Sequence, residues 1–376
     1  MSTIPQTYEE SLERICRDSV RPNAAAVDRD GGFPDQAIES LKAGGFLGAM
    51  SSPEAGGLGL GLRGAAAVVG RVAQDCGSTA MVLCMHYCGA AVLEAHAMPE
   101  VRRAAAAGAH LSTLAFSEAG SRSHFWAPVS TAAERNGNIV LNARKSFVTS
   151  ASHATAYVWS SQPVAAAGAS TLWLVPGNAS GLTVQGPFGG LGLRGNDSCP
   201  VVANDVRVPT AAMLGADGKG FDIMMGIVLP AFNILNAACS VGLMQAAVAG
   251  TAAHAAETRH SDTGASLAEL PTIRNYIARM RMKTDMAGAL VDDALDAIEA
   301  NRPDAMLRVL ESKACAGETA NEVLDLAMRV CGGAAFRRDL GVERCFRDAR
   351  AAGIMAPTTD VLYDFMGKAV CGLPLF

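Results

Sequence analysis

The order of textures along the chain constrains the fold more than any single motif: a helical block, a strand-rich middle, then a second helical block. Residues 1 to about 110 carry helical periodicity. In DQAIESLKAGGFLGAM, Ile38, Leu41 and Phe46 fall toward one face and Gly44-Gly45 supplies the stop. The run GAAAVVGRVAQDCGSTAMVLCMHYCGAAVLEAH is alanine-rich and buried in character. From about Leu111 to Pro209 the texture changes to short β-type runs: STLAFSE, VSTAAE, NIVLNARKSFVTS, TAYVWSSQ, STLWLVP and VVANDVRVP. Asn136-Gly137, between two of these runs, is a two-residue hairpin signal. From about Gly220 the helical pattern returns and lasts almost to the C-terminus. The expected domains are therefore 1–110 helical, 111–218 β and 219–376 a helical bundle, an α+β chain and not an alternating βαβ one.

That order removes a dinucleotide-fold reading. Two GxGxxG strings exist, Gly59-Gly61-Gly64 and Gly190-Gly192-Gly195. Neither opens a helix directly after a strand with an acidic residue about 20 positions on, as the Rossmann fingerprint requires.

With 31 Lys and Arg against 36 Asp and Glu, the net charge of −5 argues against a nucleic-acid partner. Aromatics at 5% leave little for base stacking. Half the residues are hydrophobic, enough to fill a large core. The ten cysteines fall singly, with no CxxC pair, which fits a reducing cytosol and predicts a cytoplasmic protein without a metal site. Cys84 and Cys88, one helical turn apart around His86, lie on an apolar stretch and read as buried thiols, since no second pair completes a tetrahedral set. The N-terminal MSTIPQTYEESLERICRD is acidic where a signal peptide is basic and then apolar. Ile223 to Ala256 carries no formal charge and exceeds the roughly 20 residues that span a bilayer. Its Pro230, Asn233, Asn236, Ser240, Gln245 and His254, with no flanking basic cluster, point to a buried central helix and no membrane span.

Five segments, in order, resemble the acyl-CoA dehydrogenase superfamily over nearly the whole chain. They are VDRDGGFPDQAIESLKAGGFLGAM with PEAGGLGL; AFSEAGSRSH, similar to the family's TEPxAGSD stretch; NGNIVLNARKSFVTS, ending in an aromatic-aliphatic-hydroxyl triplet; LGLRGNDSCPVVANDVRVPTAAMLGADGKGF; and CGGAAFRRDLGVERCFRDAR. The resemblance implies an N-terminal α-helical domain, a β-barrel-like middle domain and a C-terminal four-helix bundle. It also implies bound FAD, an acyl thioester as substrate, a homotetramer or homodimer, and electron-transfer flavoprotein or O2 as acceptor.

Flavin chemistry needs donors at the ring edge, where reduction places negative charge. By resemblance Ser117 stands near the pyrimidine edge, Ser123 at the pyrophosphate, and Phe147 and Thr149 beside the ring. Arg259 and Ser261 would reach the diphosphate held by a neighbouring subunit, Gly332 and Gly333 would let backbone approach it, and Thr358 and Asp360 stand near the cofactor. Asp262, Leu270 and Arg329 depart from the residues the family places around that moiety.

The catalytic base is the exception. Ala356 stands where the family carries its glutamate, and Phe232 where some members carry it on the central helix. Asp360, His86 and His124 are the substitute candidates. A reaction that needs no proton abstraction is the alternative: desulfinase-like cleavage or oxygenation, with the Ala356 backbone N–H kept as an oxyanion donor. A non-catalytic flavin-binding homologue is the third. Asn233 replaces the arginine used toward CoA, which opens the reading to other thioester carriers. Trp126, in His124-Phe125-Trp126, either narrows the pocket or fills the core.

Overall fold

The computed structural model describes residues 6–121 and 124–375. The first block contains α1 (Gln6–Ile15), α2 (Ala24–Asp30), α3 (Asp35–Ala43), α4 (Gly61–Ala73), α5 (Gly77–His96) and α6 (Pro99–Ala106). In α4 the buried Ala65, Val68, Val69 and Val72 recur at helical spacing and make one apolar stripe. α5 has no such stripe because it is buried nearly all round, from Met81 and Leu83 to Tyr87 and Cys88, and so forms the centre of this block.

The middle block contains β1 (Ser112–Ala115), β2 (Thr131–Arg135), β3 (Asn138–Val148), β4 (Ala156–Ser161), β5 (Thr171–Pro176), β6 (Leu182–Val184), β7 (Cys199–Pro209) and β8 (Met213–Leu214). They form two four-stranded sheets, ordered β1-β4-β5-β8 and β2-β3-β7-β6. The expected barrel-like middle is thus a pair of packed sheets, tied at one corner by the isolated bridge between Glu118 and Lys145. The Asn136-Gly137 turn closes β2 on β3 with Arg135 opposite Asn138. Both turn residues have positive φ, 52° and 75°, the type I′ geometry that matches strand twist. β4 shows why a strand can read as a continuous apolar run. Tyr157 and Trp159 point into the core between the sheets while Val158 joins the helical core on the other face.

The last block contains α7 (Gly220–Ile223), α8 (Leu229–Glu257), α9 (Pro271–Glu299), α10 (Ala305–Cys331), α11 (Val342–Ala349), α12 (Ala351–Ile354) and α13 (Thr359–Val370). α7 runs into α8 through a π-turn at Met224–Val228, and Pro230 sits in the first turn of α8, where its missing N–H is tolerated. α8 packs on α4, α5, α9 and α10, and α13 closes on α10, so the bundle is α8, α9, α10 and α13. The uncharged stretch is its central helix and is largely buried.

The second glycine string serves packing. A side chain at Gly192 would overlap the Arg347 carbonyl, and that close approach lets the Leu193 N–H donate to Asp348 at 2.6 Å. The loop 191–196 is fixed to α11 in this way.

Candidate active site

A cleft of about 520 Å³ opens where the two sheets meet the last helices. One wall comes from Phe116–Ala119 after β1 and Ser146, Phe147 and Thr149 at the end of β3. Phe188, Gly190–Leu193, Asn196 and Ser198 form the second wall. Val228 at the end of the π-turn, Phe232 of α8, and Ile354, Met355 and Ala356 at and after the end of α12 form the third. The π-turn ends at Val228, so the first turn of α8 presents Phe232 to the cleft.

The β3 wall is held from beneath. Lys145 is fully buried and its Nζ donates to the Ser160 carbonyl (2.7 Å), the Ser160 hydroxyl (2.9 Å) and the Glu118 carboxylate. Burial pushes its ammonium down to about 8, opposed by Glu118. Glu118 also accepts the Val129 and Ser130 N–H groups at 2.7 and 3.0 Å. Burial alone would raise its carboxyl, but Lys145 and those donors outweigh it and keep it below the usual range. Although Glu118 touches the cleft, its charge is committed to the wall.

β3 bulges between Lys145 and Val148. At that bulge Phe147 adopts φ 53° and is 76% exposed, an unusual conformation for an aromatic residue and one that thrusts the ring outward into the cleft. Thr149 is buried and shares a 3.1 Å hydrogen bond with Ser198. Asn196 Oδ1 is buried with no protein partner and belongs to a residue that lines the cleft. An outward aromatic, hydroxyls from Ser117, Thr149 and Ser198, and an unfilled acceptor beside a broad apolar floor fit a flat heteroaromatic ring with donors and acceptors on its edge.

The candidate residues separate into three places. Ser117, Phe147, Thr149 and Ala356 meet in the cleft. His124 and Asp360 come together elsewhere, in a pocket of about 360 Å³ with Trp126, Asp364, Phe365 and Lys368, and neither lines the cleft that holds Ala356. Asp360 is carried off in the first turn of α13, whose N-terminal flank is Thr358. Trp126 packs edge-on against Phe125 and beside Phe365, so it lines that second pocket. His86, the third base candidate, lines neither pocket. It is fully buried, its Nδ1 accepts the Ser112 N–H at 3.0 Å and its Nε2 donates to the Leu47 carbonyl at 2.8 Å, which staples α5 to β1. Burial pushes its pKa down to about 4. Ser123 lies outside the described residues.

Arg259 and Ser261 lie beyond the far end of α8. At 1.5 Å per residue, Phe232 and Glu257 are about 38 Å apart along that helix. Arg259 there donates to the Gly264 carbonyl at 2.9 Å. Gly332 and Gly333 sit exposed at the end of α10, with open space where a Cβ would stand. The expected cofactor residues therefore do not form a single site within one chain.

Sequence reasoning missed Lys313. It is buried in α10 beneath the third wall, and its Nζ donates to the carbonyls of Ala352 (2.9 Å), Met355 (3.1 Å) and Pro357 (2.8 Å). It also lies 5.7 Å from the centre of the Phe232 ring. No spacing rule links a lysine to carbonyls some 40 residues downstream. Among the described residues, no cluster of three or more His, Cys, Asp or Glu is placed to hold a metal, and all ten cysteines are free thiols.

The models of the acyl-CoA dehydrogenase N-terminal, middle and C-terminal domains match residues 5–108, 113–206 and 218–371. A probable acyl-CoA dehydrogenase of Bacillus subtilis is 28% identical over 95% of both chains. The human mitochondrial short-chain specific acyl-CoA dehydrogenase is 29% identical over 95% of this chain and 88% of its own. The butyryl-CoA dehydrogenase of Megasphaera elsdenii superposes with a TM-score of 0.91 at 21% identity, covering 98% of this chain and 99% of that one.

Proposed function

The chain belongs to the acyl-CoA dehydrogenase family, and from that premise we propose that it is an FAD-dependent oxidoreductase whose cleft takes an acyl thioester with its carbonyl at the Ala356 N–H. Bound there, the flavin supplies two-electron exchange with the substrate. Ser117 and Thr149 hydrogen-bond its edge and Phe147 covers one face. Met85, Leu114, Phe116 and Phe232 enclose the acyl chain and exclude water from it. The Ala356 N–H stabilises charge that builds on the thioester oxygen.

The adenylate half falls to Thr358 and Asp360 of the same chain and to Arg259, Ser261, Gly332 and Gly333 of a second copy. The reach of α8 supports that division, and a homodimer or homotetramer follows from it. Electron-transfer flavoprotein or O2 takes the electrons. Asn233 offers no charge to a CoA phosphate, which favours tolerance of other thioester carriers.

α,β-Dehydrogenation comes first by family membership. One observation favours a second reading. Phe232 and Ala356, the two places where the family carries its base, both face the cleft, and the one carboxylate among the cleft's described residues, on Glu118, is tied to Lys145. Cleavage of a carbon–heteroatom bond or oxygenation needs no base there. Anaerobic mixing of the yellow holoprotein with a panel of acyl-CoAs separates the readings. Bleaching of the flavin band supports dehydrogenation, and no bleaching with any thioester supports the second. A colourless preparation that rejects added FAD would sink both.

A further inference from the structure

The wall that carries Ala356 is organised around one buried ammonium. Lys313 holds three carbonyls, one on each side of the Met355–Ala356 peptide and the carbonyl of that peptide itself. That peptide is trans, so its C=O and N–H point in opposite directions. With the Met355 oxygen drawn into the core at 3.1 Å from Nζ, the Ala356 N–H is turned away from the core, and both residues line the cleft. A second tether reinforces the orientation: Asn236 of α8 donates to the Met355 sulfur at 3.4 Å. A hydrogen bond to a peptide oxygen also polarises the amide and strengthens its N–H as a donor.

We propose that Lys313 is a positioning residue: by holding the Met355 carbonyl it aims and polarises the Ala356 N–H as the donor to the thioester oxygen. The inference rests on the thioester reading above and adds the residue that makes the donor work. It accounts for a lysine buried without a carboxylate partner, an arrangement that desolvation disfavours unless the ammonium's three donors are all engaged. Here each of three carbonyls takes one.

Infrared difference spectra of holoprotein with butyryl-CoA and butyryl-pantetheine, each carrying a 13C carbonyl, test it. The wild type is expected to lower the carbonyl stretch on binding. Lys313→Met is expected to return the band most of the way to its free position and to weaken thioester binding about tenfold with FAD content held, while the melting temperature falls because three carbonyls lose their donor. A wild-type shift that Lys313→Met keeps would overturn the inference and leave the thioester reading standing. Absence of a shift in the wild type would overturn that reading, and the inference with it. Should Lys313→Met lose flavin, Lys313→Gln, which retains an amide donor, is read in the same way. Collapse of both variants also overturns the inference, because the lysine would then support the core and not one amide.

Discussion

Phe232 and Ala356 stand in one wall of one cleft and share the same lysine beneath them. Lys313 Nζ lies 5.7 Å from the Phe232 ring centre and 3.1 Å from the carbonyl oxygen of Met355, the residue before Ala356. The two residues reach that wall from α8 and from the turn ahead of α13, by separate backbone routes. Both are apolar, yet the turn that carries Ala356 is held by three hydrogen bonds from Lys313. Neither side chain offers a proton acceptor, and the frame that holds the turn is in place.

Ala356→Glu places a carboxylate on that intact frame. The residue is half-buried and faces open cleft, so the larger side chain has room. A positioned general base contributes about 10²–10⁴-fold, and anaerobic flavin bleaching by butyryl-CoA is expected to accelerate at least about 10²-fold. Unchanged bleaching with FAD still bound would show that more than the base has changed.

Asp348 makes stability depend on pH. It is fully buried, and burial pushes its carboxyl up to about 7 against the pull of the Leu193 N–H and of Arg344 and Arg347. The folded pKa lies above the unfolded value of about 3.9, so the folded state binds the extra proton. Its contribution is fully present below about pH 4 and is lost as pH rises toward 7. Asp348→Asn keeps an acceptor for Leu193 and removes the titration. Urea unfolding at pH 5 and pH 8 is expected to show the wild type losing a few kcal/mol more than the variant between those values. Equal losses would contradict the burial argument.

The fold was legible where chemistry is local. Asn136-Gly137 demands positive φ at both positions, and the hairpin between β2 and β3 is there. β6 and β8, of three and two residues, are too short to carry a pattern, and the sheets supply their order. The site was legible only in part. The hydroxyls at 117 and 149 and the ring at 147 do meet in the cleft, because β1 and the end of β3 bring them there. A histidine in an apolar helix looks the same in sequence whether it faces a pocket or a backbone carbonyl, and His86 faces Leu47. Asn196 and Lys313 act through an unfilled acceptor and through backbone oxygens, which leave no periodic mark.

Gly137→Ala isolates the turn. Nothing lies within 4 Å of a methyl group added there, so the change is purely one of backbone conformation. Holding an L-residue at φ 75° costs about 1 kcal/mol. The urea midpoint is expected to fall with m unchanged. A loss of several kcal/mol would mean that the turn also supports contacts absent from this geometry.

Phe147 and Arg259 offer the sharpest test of a shared cofactor site. Phe147 is largely exposed, so Phe147→Ala is expected to leave the melting temperature of the apoprotein within a few degrees while weakening FAD binding about tenfold. Arg259→Ala, beyond the end of α8 that lies about 38 Å from Phe232, is expected to weaken FAD binding to a similar degree, through the diphosphate of a second copy. If each site takes Phe147 from one chain and Arg259 from the other, a mixed dimer of the two variants contains one site with both changes and one with neither. Random assembly of equal amounts then restores tight FAD binding at about one site in four. Titration of the mixed population with FAD would show that tight fraction, whereas two residues serving separate functions within each chain would leave every site impaired.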